Sequence, residues 1–348
     1  MIQTDVLVIG AGPAGLFQAF QLGLLGLRVQ VVDALPEAGG QCVALYPDKP
    51  IYDVPGIPVC TGRQLSQQLL EQIRPFVRLG ESLHLGVRVD HVVAKTGGGY
   101  EVRTHDGQAF TTSAIVVAAG AGAFTPKGLN LPGLDEGTSH LHYHLPAEEA
   151  MASWRGEQVL VAGGGDEALE AAEQLIKLPE SHRPSRVTLM HRRDVFQAEA
   201  ELVERIKAYI ASGELGWVQG VPQEALITEG RVHGLALVNA DGTHIVTFDH
   251  LLVRQGMSPK LGPLTDWGMA LDRKQVLVNP VTFQSSLDGV YAVGDINTYP
   301  GKKRLLVCAF HEATMAAHAL QAYLKPDESQ LLQYTTTSTL LKQRLGVL

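Results

Sequence analysis

Two glycine-rich turns have the spacing with which a protein backbone approaches a pyrophosphate. They are Gly10-x-Gly12-x-x-Gly15 and Gly163-x-Gly165-x-x-Ala168. The first glycine of such a turn permits the sharp bend, the second lets the backbone come close to the phosphates, and the third small residue lets a helix pack on a strand. The free N–H groups at the helix N-terminus then favour an anion. The spacing therefore predicts two dinucleotide sites in one chain.

An aspartate follows the first turn at the position where an acidic residue hydrogen-bonds a nucleotide ribose. The strand "LRVQVVDA" ends at Asp33, about twenty residues beyond the turn. A carboxylate there accepts hydrogen bonds from an adenosine ribose and repels a 2′-phosphate. We therefore expect FAD or NAD at the first site, and not NADP.

The second turn is followed by arginines at the corresponding place. The strand "RVTLM" runs into "HRRD", which places Arg192 and Arg193 where the first unit has Asp33. A guanidinium grips a phosphate with two hydrogen bonds, and an arginine near this position accommodates the 2′-phosphate of NADP. NADP(H) is the favoured ligand; NAD(H) and two merely solvated arginines remain the alternatives.

A third motif at the far end of the chain completes the first site. The segment "GVYAVGDI" is a short strand that ends in Gly294-Asp295, and an aspartate there can hydrogen-bond the ribityl chain of a flavin. The chain must then fold back on itself. We predict an FAD-binding domain from residues 1–125 and 251–348, with an NADP(H)-binding domain, 126–250, inserted into it. FAD and NADPH form a natural redox pair.

Composition limits the other classes of function. The chain has 348 residues, a net charge of −8 and 45% hydrophobic residues. The acidic balance argues against nucleic acid as the main partner. No apolar stretch is long enough for a transmembrane helix and no leader is recognisable. Three scattered cysteines without a CxxC fit a reducing compartment, so we expect a cytoplasmic protein.

The motifs resemble a known family over nearly the whole chain. "GAGPAG", "VVAAGAGAF", "GGGDEALE", "HRRDVF" and "YAVGD" are similar to the two-dinucleotide flavoprotein reductases of the thioredoxin reductase type. Without a CxxC, the chain has no pair of thiols for disulfide exchange. "GGQCVALYPDKPIYDVPG", "LGPLTDWGMAL" and "QYTTTSTLLKQ" resemble the thioredoxin-reductase-like ferredoxin–NADP+ reductases. The resemblance implies an α/β fold with two Rossmann-like dinucleotide-binding domains.

The resemblance also implies roles at matching positions. Two aromatic rings would stack on the faces of the flavin, Tyr52 on one and Tyr334 on the other, with Thr335 near N5. The FAD contacts would be Gly10, Gly12, Pro13, Ala14, Gly15, Asp33, Gly40, Gln41, Tyr46, Val89, Phe124, Asp295, Thr336 and Thr337. The NADP contacts would be Gly163, Gly164, Gly165, Asp166, His191, Arg192 and Arg193. Gln197 departs from the arginine that relatives usually have, which removes one phosphate-binding charge.

The family resemblance implies a homodimeric FAD enzyme that exchanges electrons between NADPH and ferredoxin or flavodoxin. FAD can accept two electrons together and release them singly, which suits an iron–sulfur partner. Lys302, Lys303 and Arg304 form the basic loop expected to dock an acidic ferredoxin. The alternatives are a reductase of another non-disulfide acceptor, such as a quinone, and a flavin redox sensor without turnover.

Alternating histidines at 140, 142 and 144 would share one face of a strand. A fourth ligand is not evident in the sequence. We therefore expect no metal site.

Overall fold

The computed structural model describes residues 1–135, 137–146, 151–328 and 331–348. The chain divides into two compact units: Met1–Phe124 with Pro259–Leu348, and Thr125–Ser258. The predicted insertion of one α/β unit into another is confirmed. The second boundary lies at 258 rather than at the expected 250, because the strand His250–Val253 pairs on both sides with strands of the second unit.

The helices of the described residues are α1 (Pro13–Leu24), α2 (Gln41–Ala44), α3 (Gly62–Ile73), α4 (Asp166–Lys177), α5 (Ala200–Ser212), α6 (Leu306–Leu324) and α7 (Thr339–Leu345). The strands are β1 (Ile2–Ile9), β2 (Val29–Asp33), β3 (Pro50–Ile51), β4 (Cys60–Thr61), β5 (Leu83–Leu85), β6 (Val89–Ala94), β7 (Tyr100–Thr104), β8 (Ala109–Val117), β9 (Ala123–Pro126), β10 (Leu141–His142), β11 (Gln158–Ala162), β12 (Arg186–His191), β13 (Gly216–Gln219), β14 (Val221–Thr228), β15 (Arg231–Asn239), β16 (Gly242–Thr247), β17 (His250–Val253), β18 (Met257–Lys260), β19 (Leu271–Asp272), β20 (Gln275–Leu277), β21 (Val290–Ala292) and β22 (Asn297–Thr298).

The sheet of the first unit brings the two ends of the chain together. Its order is β5-β2-β1-β8-β7-β6, and β21 pairs in parallel with β8. The strands β1, β2 and β8 are parallel. Their carboxyl-terminal residues are apolar and buried, as strands covered on both faces require: 6–9 in β1, 31–32 in β2 and 114–117 in β8. The carboxyl ends of β1 and β21 therefore reach the same edge of the sheet, where the turns at Gly10 and Gly294 follow.

The second unit repeats the parallel arrangement. Its main sheet has the order β10-β17-β11-β12-β13, and an antiparallel sheet, β14-β15-β16, completes it. Helix α4 follows β11 and buries an apolar face that includes Ala168, Leu169 and Leu175. The chain crosses between the units through β9 and β18, which pair with each other.

The C-terminal segment is held at the far end of α1. Leu341 of α7 is buried, and Arg344 Nη1 donates to the carbonyl oxygen of Leu24. Helix α1 has 12 residues, so Leu24 lies about 16–18 Å along the helix from the glycine turn at its start. Residues 331–337 are exposed.

Candidate functional site: two nucleotide turns

The first glycine turn closes so tightly that side chains are excluded at two of its positions. A Cβ on Gly10, which has φ +115°, would lie 2.4 Å from the carbonyl oxygen of Ala118. A Cβ on Gly15 would lie 1.8 Å from the carbonyl oxygen of Gly10. Gly15 therefore serves the packing of α1 against the turn, and it is not among the residues that line the adjacent cleft.

Gly12 is different, because the space beside it is open. A Cβ there would meet no atom closer than the Cα of Gly40, at 3.7 Å, and Gly12 has an ordinary φ of −73°. Gly12 and Gly40 thus form a backbone cradle at the N-terminus of α1. Pro13 lies in the first turn of this helix, where its missing backbone N–H costs no intrahelical hydrogen bond. This cradle fits a pyrophosphate, which requires bare backbone beside a helix N-terminus.

Asp33 is fixed at the end of β2 by backbone donors. Its Oδ2 accepts a hydrogen bond from Ala11 N at 2.5 Å, and its Oδ1 accepts one from Leu35 N at 2.8 Å. Burial raises the pKa of the Asp33 carboxyl, while these two hydrogen bonds oppose that increase. Each oxygen keeps a further lone pair, so the carboxylate can still accept a ribose hydroxyl.

A single cleft in the first unit collects most of the residues predicted to bind FAD. It is lined by Gly10, Gly12, Pro13, Ala14, Asp33, Gly40, Gln41, Tyr46, Val89 and Asp295. Gln41 Nε2 lies 3.4 Å from Asp295 Oδ2 and joins the two chain ends across the cleft. Burial raises the pKa of the Tyr46 phenol, so its hydroxyl stays a donor.

The cleft is also lined by Arg88, Lys260, Trp267 and Arg304, and none of them was predicted to contact FAD. The indole N–H of Trp267 is buried and has no hydrogen-bond partner within the described residues, so it is free to donate to a bound ligand. Arg304 was predicted for partner docking and in fact lines the cleft. Trp267 and Lys260 come from a segment that carries no nucleotide motif.

The two predicted stacking tyrosines both lie on the surface. Tyr52 is 71% exposed and Tyr334 is 64% exposed, and neither lines the cleft in the described chain. Thr335, Thr336 and Thr337 are exposed with Tyr334. The side chain of Phe124 lies outside the described residues. The flavin contacts of these six residues stay predictions.

The second glycine turn has the same construction in the other unit. A Cβ on Gly163 would lie 2.1 Å from the carbonyl oxygen of Arg254, and one on Gly164 would lie 2.7 Å from the ring of His191. Gly165 caps α4. Burial lowers the pKa of His191, and its Nδ1 lies 3.0 Å from the carbonyl oxygen of Arg193. The turn again leaves bare backbone at a helix N-terminus.

The loop after β12 folds back onto this turn. Gln197 N donates to Gly164 O at 2.7 Å, and Asp166 Oδ1 accepts a hydrogen bond from Glu199 N at 2.8 Å. Arg192 and Arg193 are exposed beside the turn, and neither forms an ion pair within the described part of the chain. Gln197 therefore contributes its backbone to the site, while the two guanidinium groups remain available to a phosphate.

Arg254 is a charged residue beside the second turn that was not predicted from the sequence. It follows β17, and its Nη1 donates to Tyr143 O at 2.9 Å while Nη2 lies 3.6 Å from Glu167 Oε2. Glu167 stands in the first turn of α4, where a free carboxylate would oppose an incoming phosphate. The Arg254 guanidinium offsets that charge.

The expectation that Lys302 docks a partner is wrong. Its ammonium is buried, with the side chain 8% exposed, and forms an ion pair with the fully buried Glu312 at 2.5 Å. Lys303 and Arg304 are exposed, and for these two residues partner docking stays a prediction.

The predicted histidine face forms an aromatic cluster in the second unit. His140 and Trp154 each stack on His250 with ring centroids 4.7 Å apart, and His142 Nε2 lies 3.1 Å from His250 Nδ1. His144 is exposed. Among the residues that the structure describes, no group of three or more histidine, cysteine, aspartate or glutamate side chains is arranged to hold a metal ion.

Within the same residues, no helix has the length and apolar character needed to cross a bilayer.

Comparison with known proteins agrees with this geometry. The model of the pyridine nucleotide-disulphide oxidoreductase family matches residues 4–319. A protein of Paracidovorax citrulli (strain AAC00-1), named ferredoxin–NADP reductase, is 46% identical and the match covers 100% of this chain and 97% of that protein. A protein of the same name from Verminephrobacter eiseniae (strain EF01-2) is also 46% identical, with 100% and 98% covered.

Solved structures share the fold at low identity. Thioredoxin reductase of Lactococcus lactis has a TM-score of 0.57 at 22% identity, covering 92% of this chain and 99% of its own. Bacillithiol disulfide reductase of Staphylococcus aureus has a TM-score of 0.64 at 14% identity, with the same coverage. The chain belongs to the pyridine nucleotide-disulphide oxidoreductase family and, within it, to the ferredoxin–NADP reductases of the thioredoxin reductase type.

Proposed function

We propose that this protein is a ferredoxin–NADP+ reductase that uses FAD to pass electrons between NADPH and a ferredoxin or flavodoxin. The observation that carries the proposal is the pair of nucleotide turns, one followed by Asp33 and the other by Arg192 and Arg193, in a chain 46% identical to proteins named ferredoxin–NADP reductase. The absence of a CxxC from the sequence excludes a dithiol relay to a disulfide.

The first unit is proposed to hold FAD in its cleft. Gly12 and Gly40 leave backbone open for the pyrophosphate, and Asp33 accepts from the adenosine ribose. Asp295 and Gln41, joined across the cleft, orient the ribityl end. Bound FAD would supply the redox chemistry, by accepting two electrons together and releasing them singly. The residues of the chain then have to bind, align and shield it.

The second unit is proposed to hold NADP(H). The open backbone at Gly165 and the N-terminus of α4 face the pyrophosphate, while Arg192 and Arg193 pair with the 2′-phosphate. The two exposed guanidinium groups are the residues that distinguish NADPH from NADH. Gln197 does not add a third charge there.

Ferredoxin is proposed to dock near Lys303 and Arg304. The net charge of −8 disfavours an acidic partner over most of the surface, so a local basic site is needed. Arg304 lines the FAD cleft, and Lys303 is its exposed neighbour. Reversing both charges should raise the apparent KM for ferredoxin and leave the KM for NADPH unchanged. An unchanged ferredoxin KM would rule this site out.

We further propose a cytoplasmic homodimer. Cys42, Cys60 and Cys308 are all free thiols, as in a reducing compartment. The C-terminal segment exposes the apolar side chains Leu331, Leu332, Tyr334, Leu340, Val347 and Leu348, a surface that a second copy would cover. Sedimentation of the full chain and of a chain ending at residue 330 tests this. A full-length monomer would contradict it.

Steady-state assays with a panel of acceptors test the proposed function. NADPH-dependent reduction of a ferredoxin or flavodoxin at a kcat/KM well above that for quinones is the expected result. A clear preference for a quinone would retain the two nucleotide sites and reject the named acceptor. If the protein binds FAD but does not oxidise NADPH with any acceptor in the panel, it would be a sensor.

A further inference from the structure

Glu312 is a charged residue buried in the middle of α6, with its side chain 0% exposed. Its carboxylate accepts four hydrogen bonds: Oε2 from Gly294 N at 2.7 Å and Asn297 Nδ2 at 2.9 Å, and Oε1 from Tyr299 OH at 2.9 Å and Lys302 Nζ at 2.5 Å. A buried charge is costly unless it is paired and fully hydrogen-bonded. All four donors come from the short segment 294–302.

Lys302 holds the same segment from the other side. Its Nζ donates to Glu312 and also to the carbonyl oxygen of Gly294 at 2.8 Å. Gly294 is thus bound at both of its backbone groups, its N–H by Glu312 and its carbonyl by Lys302. Because these groups belong to the two peptide planes on either side of its Cα, the ion pair fixes both φ and ψ of Gly294.

The conformation that is fixed in this way needs support. Gly294 has φ +78°, in the left-handed region. Glycine adopts other conformations as readily, so the residue itself does not hold the turn in this one. A Cβ here would lie 3.0 Å from the Cβ of Ala14, so the turn also sits close to the N-terminus of α1. The next residue is Asp295, which lines the FAD cleft and approaches Gln41.

We propose that the buried Lys302–Glu312 ion pair is a positioning device for FAD, which clamps the Gly294 turn and thereby aims the Asp295 carboxylate into the cleft. The inference rests on the proposed FAD site. Lys302 and Glu312 are positioning residues, since they act through Asp295. Stability alone does not explain such a pair, because replacing a buried ion pair by apolar residues of similar size is often neutral or stabilising.

Four variants test the clamp: Lys302→Met, Asp295→Asn, the two combined, and Lys303→Met as the matched exposed control. FAD affinity is measured by fluorescence of FAD released on dilution of the holoprotein. We expect Lys302→Met to raise the Kd for FAD at least tenfold with Asp295 present, and less than threefold in the Asp295→Asn background. Lys303→Met should stay within twofold of the unmodified protein.

An equal effect of Lys302→Met in both backgrounds would overturn the proposal, since Lys302 would then not act through Asp295. Visible circular dichroism of bound flavin at saturating FAD gives a second readout. We expect Lys302→Met to change it and Lys303→Met to leave it unchanged. An unchanged spectrum in Lys302→Met would show that the flavin is held as before, and would also overturn the proposal.

A fifth variant covers the case in which Lys302→Met fails to fold because Glu312 is left unpaired. The double variant Lys302→Met/Glu312→Gln removes both charges but still leaves the Gly294 carbonyl without its donor. We expect its thermal unfolding without FAD to be close to that of the unmodified protein, with the Kd for FAD still raised at least tenfold. If this double variant recovers both stability and FAD affinity, the ion pair serves only the stability of the fold, and the proposal is overturned. If the unmodified protein itself binds no FAD, the proposed function fails instead.

Discussion

Replacing Gly12 by alanine should separate ligand binding from folding at the first turn. A Cβ at Gly12 meets no protein atom within 3.7 Å and the backbone φ of −73° suits alanine, so the methyl group fits the protein alone. In the proposed complex the methyl would stand where the pyrophosphate approaches the backbone. We expect normal folding with weakened FAD binding.

The size of the effect follows from the contacts that the methyl group displaces. Loss of one hydrogen bond between a backbone N–H and a charged phosphate costs about 1.5–3 kcal/mol. That range corresponds to an increase in the Kd for FAD of about 10- to 150-fold. Without FAD, the stability of the variant should change by less than about 1 kcal/mol, the range of a glycine-to-alanine change in a compatible conformation.

Gly15→Ala is the matched control, because there the protein itself excludes the methyl group. Its Cβ would lie 1.8 Å from the carbonyl oxygen of Gly10, and overpacking of this kind costs about 1–3 kcal/mol or more. Thermal unfolding with and without FAD, together with FAD fluorescence, distinguishes the two variants. Gly12→Ala with an FAD affinity within twofold of the unmodified protein would refute the placement of the pyrophosphate over Gly12.

Three further perturbations bear on other parts of the molecule. Changing Arg192 and Arg193 to alanine should raise the KM for NADPH at least tenfold and the KM for NADH less than twofold. Arg186→Ala, at the opposite end of β12, is the control, and equal effects on both coenzymes would reject the 2′-phosphate contact. Burial and the neighbouring imidazoles lower the pKa of His142 from 6.5 to about 4, so the unfolded chain binds this proton more tightly, and stability that is full above pH 6.5 is lost as the pH falls toward 4. Urea unfolding followed by the fluorescence of Trp154 and the other tryptophans should show this loss, and His142→Gln should flatten it; an equally steep loss in that variant would assign the effect elsewhere. Deleting residues 331–348 should change nicotinamide access and the charge-transfer absorbance; unchanged FAD binding and turnover would show that Tyr334 does not cap the flavin.

The strand–turn–helix units could be predicted because their signals are local. Gly10, Gly12 and Gly15 lie within one turn, and Asp33 ends the very next strand, so the spacing alone predicted a shared site, and Gly10, Gly12 and Asp33 do line one cleft. The same holds for Gly163 and its neighbours. The return of the chain to the first unit was also predictable, since Asp295 carries its own short motif.

Other parts of the site depend on contacts that no local pattern records. Lys302 lies in a basic run of the kind usually found on the surface, but its ammonium is buried in an ion pair with Glu312, ten residues further on. Trp267, which follows a short 3-10 helix, and Arg254, which follows β17, are both distant in sequence from either glycine turn. The placement of the C-terminal segment beside Leu24 follows from the packing of α7, for which the sequence has no equivalent signal.

Anaerobic rapid mixing of the yellow protein with NADPH, followed by oxidised ferredoxin, tests the central claim most directly. We predict fast bleaching of the flavin absorbance by NADPH, slower bleaching by NADH, and recovery of the absorbance when ferredoxin is added. Fast bleaching with no recovery on addition of any ferredoxin or flavodoxin would contradict the proposed reductase.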